Sequence, residues 1–126
     1  MGDADREGVL SFPSSIPNAS TLRMAPQALE RWTFDAHVPV RVHSLDSVLR
    51  DLEEPSVGLL KIDCQGAEYE ILEHASAETL ARIDRIILEF TDGARTLPAT
   101  LRARGFDVTW DAGIRGYLRA VRRRST

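Results

Sequence analysis

Apolar and polar residues follow two different rhythms along this chain, and the rhythm changes near residue 57. Before it, short alternating runs predict strands at Val9–Phe12 ("VLSF") and Val38–Val42 ("VPVRV"), the second an edge strand or strand start because of its proline. Residues 14–26 are rich in Ser, Pro and Asn and predict a long irregular loop, followed by a helical turn at Gln27–Trp32. Ser44 then stands as an N-cap before "LDSVLRDL", where Leu45, Val48, Leu49 and Leu52 share a face and Pro55 ends the helix. From Val57 the pattern is strand, helix, strand, helix, strand, strand. "VGLLKID" (Val57–Asp63) is a nearly continuous apolar run, which predicts a strand buried on both faces in a parallel sheet. A helix from about Gly66 to Ala75 turns Ala67, Ile71, Leu72 and Ala75 inward and Glu68, Glu70 and Glu73 outward. "AETLARI" is a shorter helical piece leading into a second buried strand, "RIILEF" (Arg85–Phe90). "LPATLRARG" is a helix with Pro98 in its first turn and Gly105 as its stop, and "FDVTW" and "YLRAVR" make a closing hairpin. Alternating strands and helices imply an α/β fold with a parallel sheet, the final hairpin adding one antiparallel strand.

At 126 residues the chain is one domain at most, with residues 1–37 an irregular segment and 38–126 the α/β core. Its apolar and charged fractions are those of an ordinary globular protein, and no apolar run is long enough to span a membrane. The acidic start "MGDADREG" is neither a secretory signal nor a transit peptide, and one cysteine, Cys64, suits a reducing cytoplasm. The net charge of −3 is unevenly spread: residues 101–126 hold seven arginines against Asp107 and Asp111. The arginine end "VRRRST" is a nucleic-acid contact or a solvated end; without interleaved aromatic residues the solvated end is preferred.

Candidate chemistry gathers at the strand ends. Ligands of open α/β sheets bind outside the carboxyl ends of the strands. Asp63 closes the first buried strand and Glu89 nearly closes the second, so adjacent strands would hang both carboxylates over one crevice. Lys61, the only lysine, shares a face with Asp63 and is expected to offset one or both carboxylates. Each residue also has a structural reading: Asp63 as a helix cap, Lys61 as a counter-ion, Gly66 as a tight turn and Glu68 as a partner of the helix dipole. Cys64 lacks an activating histidine and is read as a small buried residue. His37, His43 and His74 lack metal-ligand spacing, so no metal site is expected.

"LLKIDCQGAEYEILEHA", followed by "IDRIILEF", "LRARGFDV" and "GYLRAVRR", resembles the FkbM-type family of S-adenosylmethionine-dependent methyltransferases. Lys61, Ile62, Asp63, Gln65, Gly66 and Glu68 match that family's central motif, and the likeness runs from about Val38 to Arg123. The resemblance implies a Rossmann-like methyltransferase sheet and O-methylation of a small-molecule acceptor, a sugar or secondary metabolite. It further implies Asp63 and then Glu89 as catalytic carboxylates, Asp63, Gln65 and Gly66 toward the cofactor S-adenosylmethionine, and Lys61 and Glu68 in substrate or supporting roles. The family's glycine-rich cofactor loop has no counterpart here, so the chain reads as the carboxyl-terminal half of the fold. Its main cofactor cradle is then expected outside this chain. A truncated, non-catalytic relative acting as an interaction module, or the product of a broken gene, is the alternative reading. Either way the "VGLLKID" strand is expected at an apolar sheet edge that dimerises, docks a partner chain or is covered by residues 14–36.

Overall fold

The computed structural model describes residues 5–12, 36–64 and 66–124. The loop, helical turn and edge cover expected within residues 14–35, and Gln65, lie outside the described residues. In chain order the elements are β1 (Arg6–Phe12), β2 (Ala36–Val42), α1 (Leu45–Asp51), β3 (Leu60–Ile62), α2 (Glu68–Glu73), α3 (Ala77–Ala81), β4 (Arg85–Phe90), α4 (Leu97–Ala103), β5 (Phe106–Trp110) and β6 (Gly116–Arg122).

β1 and β2 form a separate antiparallel pair in which Pro39 lies opposite Val9. The strand expected at Val9–Phe12 thus extends back to Arg6. α1 begins where its sequence predicts: the Ser44 side chain accepts from the Ser47 N–H, and Leu45 and Leu49 are buried. Asp5, just before β1, receives the Ser44 N–H (2.8 Å) and so ties the two-stranded unit to the start of α1.

The main sheet has the order β3-β4-β6-β5. β3 runs parallel to β4, whereas β6 is antiparallel to both β4 and β5. The closing hairpin therefore folds back so that its second strand, not its first, lies against β4. α3 starts with Ser76 accepting from the Thr79 N–H, and α4 carries Pro98 in its first turn.

One expectation is overturned. β3 spans three residues, reached through an isolated parallel bridge of Val57 with Ile83, and neither β3 nor β4 is covered on both faces. Ile62, Ile86, Leu88, Phe90, Phe106, Val108, Leu118 and Ala120 fill one face and pack with α1, α2, α3 and α4 residues into a single core. Among the described residues no element lies over the opposite face: Leu59, Tyr117 and Val121 are exposed and Ile87 is half-buried. An apolar run reports that a strand is apolar, but whether a second layer covers it is decided by other elements.

A candidate active site at the strand tips

The parallel register of β3 with β4 pairs Lys61 with Ile87 and Ile62 with Leu88. The ladder ends there, so Asp63 follows the last residue of β3 and Glu89 is the penultimate residue of β4, at the carboxyl ends of two neighbouring strands. Both belong to the open face, Asp63 exposed and Glu89 half-buried. Lys61 stands one step below them, opposite Ile87. The ion pair expected of it is not formed: among the described residues its ammonium pairs with no carboxylate. The reason is the bare face, where an exposed ammonium is solvated by water and needs no counter-ion.

Glu68 corrects the sequence reading most clearly. Expected to point outward, it is fully buried. Its Oε2 accepts from the Gly66 N–H (2.9 Å), and its Oε1 accepts from the Thr91 N–H (3.2 Å) and the Thr91 hydroxyl (2.9 Å). A carboxylate with three donors tolerates the interior, because its lost hydration is replaced. One side chain therefore fastens the turn that follows Asp63 to the residue that follows Phe90. Residues 68, 71, 72 and 75 form an i, i+3, i+4, i+7 stripe, a periodic signal that the outward assignment by polarity overlooked. Gly66, at φ 107°, adopts the left-handed turn that glycine permits, and its N–H is engaged by Glu68 rather than presented outward.

A second latch lies beside the first, on residues the sequence did not single out. The buried Tyr69 hydroxyl donates to the Gly93 carbonyl (2.7 Å) and accepts from the Asp92 N–H (2.8 Å). The Arg95 guanidinium lies over the Tyr69 ring at 4.0 Å and pairs with Asp92. Arg95 holds this position from a left-handed backbone, φ 50°, uncommon for a residue with a side chain. Burial keeps the Tyr69 phenol above its ordinary pKa, so it acts as a neutral hydrogen-bonding post. Thr96 donates to Glu73 at 2.8 Å and adds a third tie between α2 and the loop after β4. Both loops that frame Asp63 and Glu89 are consequently held by side chains of α2.

Cys64, next to Asp63, packs against the core, and burial pushes its thiol up, away from nucleophilic character. Among the described residues no group of three or more His, Cys, Asp or Glu side chains is placed to hold a metal ion. No helix among them is long and apolar enough to cross a membrane.

A family model described as the methyltransferase FkbM domain matches residues 5–108 of the 126. The chain belongs to the FkbM methyltransferase family. No curated protein and no solved structure matches it. The match includes β1, upstream of the stretch from Val38 that carries the likeness, and ends within β5. FkbM methyltransferases generally depend on S-adenosylmethionine. The described residues fit only the reacting side of that cofactor. An exposed and a half-buried carboxylate at the strand tips suit hydroxyl groups or a cationic centre. The amide-lined cradle that an amino-acid carboxylate requires is not built there among the described residues, since the one glycine amide in the turn is taken by Glu68.

Proposed function

We propose that this FkbM domain serves O-methylation of a hydroxyl on a sugar or secondary metabolite, with S-adenosylmethionine as the methyl donor. A Rossmann-like assignment is part of the proposal; the parallel β3–β4 pair followed by an antiparallel hairpin, in the order β3-β4-β6-β5, supports it. The observation that carries the proposal is the parallel pairing of β3 with β4, whose carboxyl ends bear Asp63 and Glu89, within a chain matched by the FkbM model. When bound, the cofactor supplies an electrophilic methyl group.

In this reading Asp63 Oδ accepts the proton of the acceptor hydroxyl, which raises the nucleophilicity of that oxygen. Glu89 holds a neighbouring hydroxyl and fixes the acceptor's orientation. General-base assistance contributes about 10²–10⁴ in rate, and alignment of the two reacting atoms contributes more. Gly66, in the turn after β3, faces the cofactor side together with the motif residue Gln65 of the sequence reading, and Lys61 lines the acceptor's approach. A cytoplasmic location belongs to the same proposal, in keeping with a free, half-buried thiol at Cys64.

The test combines calorimetry with S-adenosylmethionine and transfer of its tritiated methyl group to a panel of sugars and polyols. Wild-type chain is expected to bind the cofactor weakly, through its reacting side alone, with heat detectable below about 1 mM. Asp63→Asn is expected to cut transfer by about 100-fold or more while leaving cofactor affinity within about threefold. Absence of heat at about 1 mM cofactor removes the enzymatic reading, because such an affinity would be too weak to serve catalysis.

A further inference from the structure

The strand registers arrange the open face of the main sheet in rows. One row runs Arg85, Val121, Asp107, with Leu59 continuing it on the β3 side. The next runs Lys61, Ile87, Arg119, Thr109. Apolar Leu59, Ile87 and Val121 thus alternate with cationic Lys61, Arg85 and Arg119 in a checkerboard below the acidic tips. Leu59 is 53% and Val121 50% exposed. Lys61 and Arg85 make no ion pair among the described residues, and Arg119 reaches only the exposed Asp111 at 3.5 Å. Asp107, the one carboxylate described in these two rows, sits on the far strand and pairs with Arg123 at 3.6 Å. Leu59, Arg85 and Val121 also border an open cleft of about 1000 Å³ at the amino ends of β3 and β4.

We infer that this checkerboard is a docking surface for an acidic amphipathic helix of another polypeptide. Parallel strand pairs are found with both faces covered, usually by helices. Leu59 and Val121 are separated by two inter-strand spacings, about 10 Å, the width of one helix. An apolar stripe on that helix covers the three aliphatic side chains, and glutamates or aspartates on its flanks meet the three cations. A second copy of this chain fits less well. Among the described residues the helices expose acidic residues, with Leu52 just past the end of α1 as the large apolar group beside them, and its own open face would set cations against cations.

The probe is a synthetic peptide of about 14 residues with leucines at helical spacing flanked by glutamates, beside a counterpart with lysines instead. Titration calorimetry is expected to show binding of the acidic peptide, weakening about tenfold between about 0.05 and 0.3 M salt. Arg85→Glu and Val121→Asp, both at exposed positions and checked by circular dichroism for an intact fold, are each expected to weaken it about tenfold. The lysine peptide is expected to bind about tenfold more weakly than the acidic one. The inference is overturned by absence of heat with the acidic peptide at about 1 mM, by equal binding of the lysine peptide, or by unchanged affinity in both variants. A dimer in light scattering that Val121→Asp dissociates also overturns it, since the occupant is then a second copy.

Discussion

Replacing Glu68 with alanine removes the one acceptor of the Thr91 hydroxyl among the described residues, together with its bonds to the Thr91 and Gly66 N–H groups. The site is fully buried, so water cannot replace the lost carboxylate without a local opening. A buried donor left without a partner costs about 1–3 kcal/mol. Two such donors on Thr91 and a half-buried one on Gly66, less the desolvation that the carboxylate no longer suffers, give a loss of about 3–4 kcal/mol. Domains of this size have a total stability of about 6–19 kcal/mol, so the loss is a large share. Urea unfolding followed by far-UV circular dichroism is expected to show the midpoint falling by about 2 M. Glu68→Gln keeps an oxygen for Thr91 but turns an amide donor toward the Gly66 N–H, with an expected loss of about half as much. Thr91→Val deletes one bond and is expected to cost about 1 kcal/mol, with a coupling to Glu68→Ala of similar size in a double-mutant cycle. Native-state hydrogen exchange is expected to accelerate at the amides of Gly66 and Thr91 first. A Glu68→Ala protein within about 0.5 kcal/mol of the wild type, the range of an unremarkable surface substitution, refutes the latch.

Three further expectations follow from the same contacts. Arg122 donates to the carbonyls of Ile83 (2.9 Å) and Leu80 and stacks on Phe106, so Arg122→Met is expected to cost about 2–3 kcal/mol in urea unfolding, and Arg122→Lys to recover less than half. Gly116→Ala sets a Cβ 2.7 Å from Asp111 Cβ and 3.0 Å from Phe90 Cζ; thermal unfolding is expected to show about 1–3 kcal/mol of overpacking. At Asp46, burial raises the carboxyl pKa, but the Ser76 N–H and the hydroxyls of Thr79 and Ser76 outweigh it and hold the carboxyl below its ordinary value. A depressed native pKa gives stability that is present above the unfolded value, about 3.9, and lost as pH falls through the native one. Denaturant midpoints at pH 6 and pH 3 are therefore expected to fall further in the wild type than in Asp46→Asn, and equal slopes would refute the assignment.

Local chemistry, readable from neighbouring residues, was settled by the sequence alone. Ser44 caps its helix, Pro98 opens α4, Arg85–Phe90 is a strand, and the residues around Gly116 close a hairpin. The motif around Asp63 also led to the family, because a short run of specific residues survives without any knowledge of packing. What escaped depends on partners distant in sequence. Glu68 was assigned outward by polarity, and only Thr91, 23 residues on, explains how its charge is tolerated inside. Lys61 was assigned a counter-ion, and only the bare second face of the sheet explains why it needs none. The tie from Tyr69 to Asp92 and Gly93 leaves no local pattern at all. A sequence fixes which groups can bond and with what period they recur; whether a charge meets donors or water is set by which layer lies over it, and that is a property of the assembled chain.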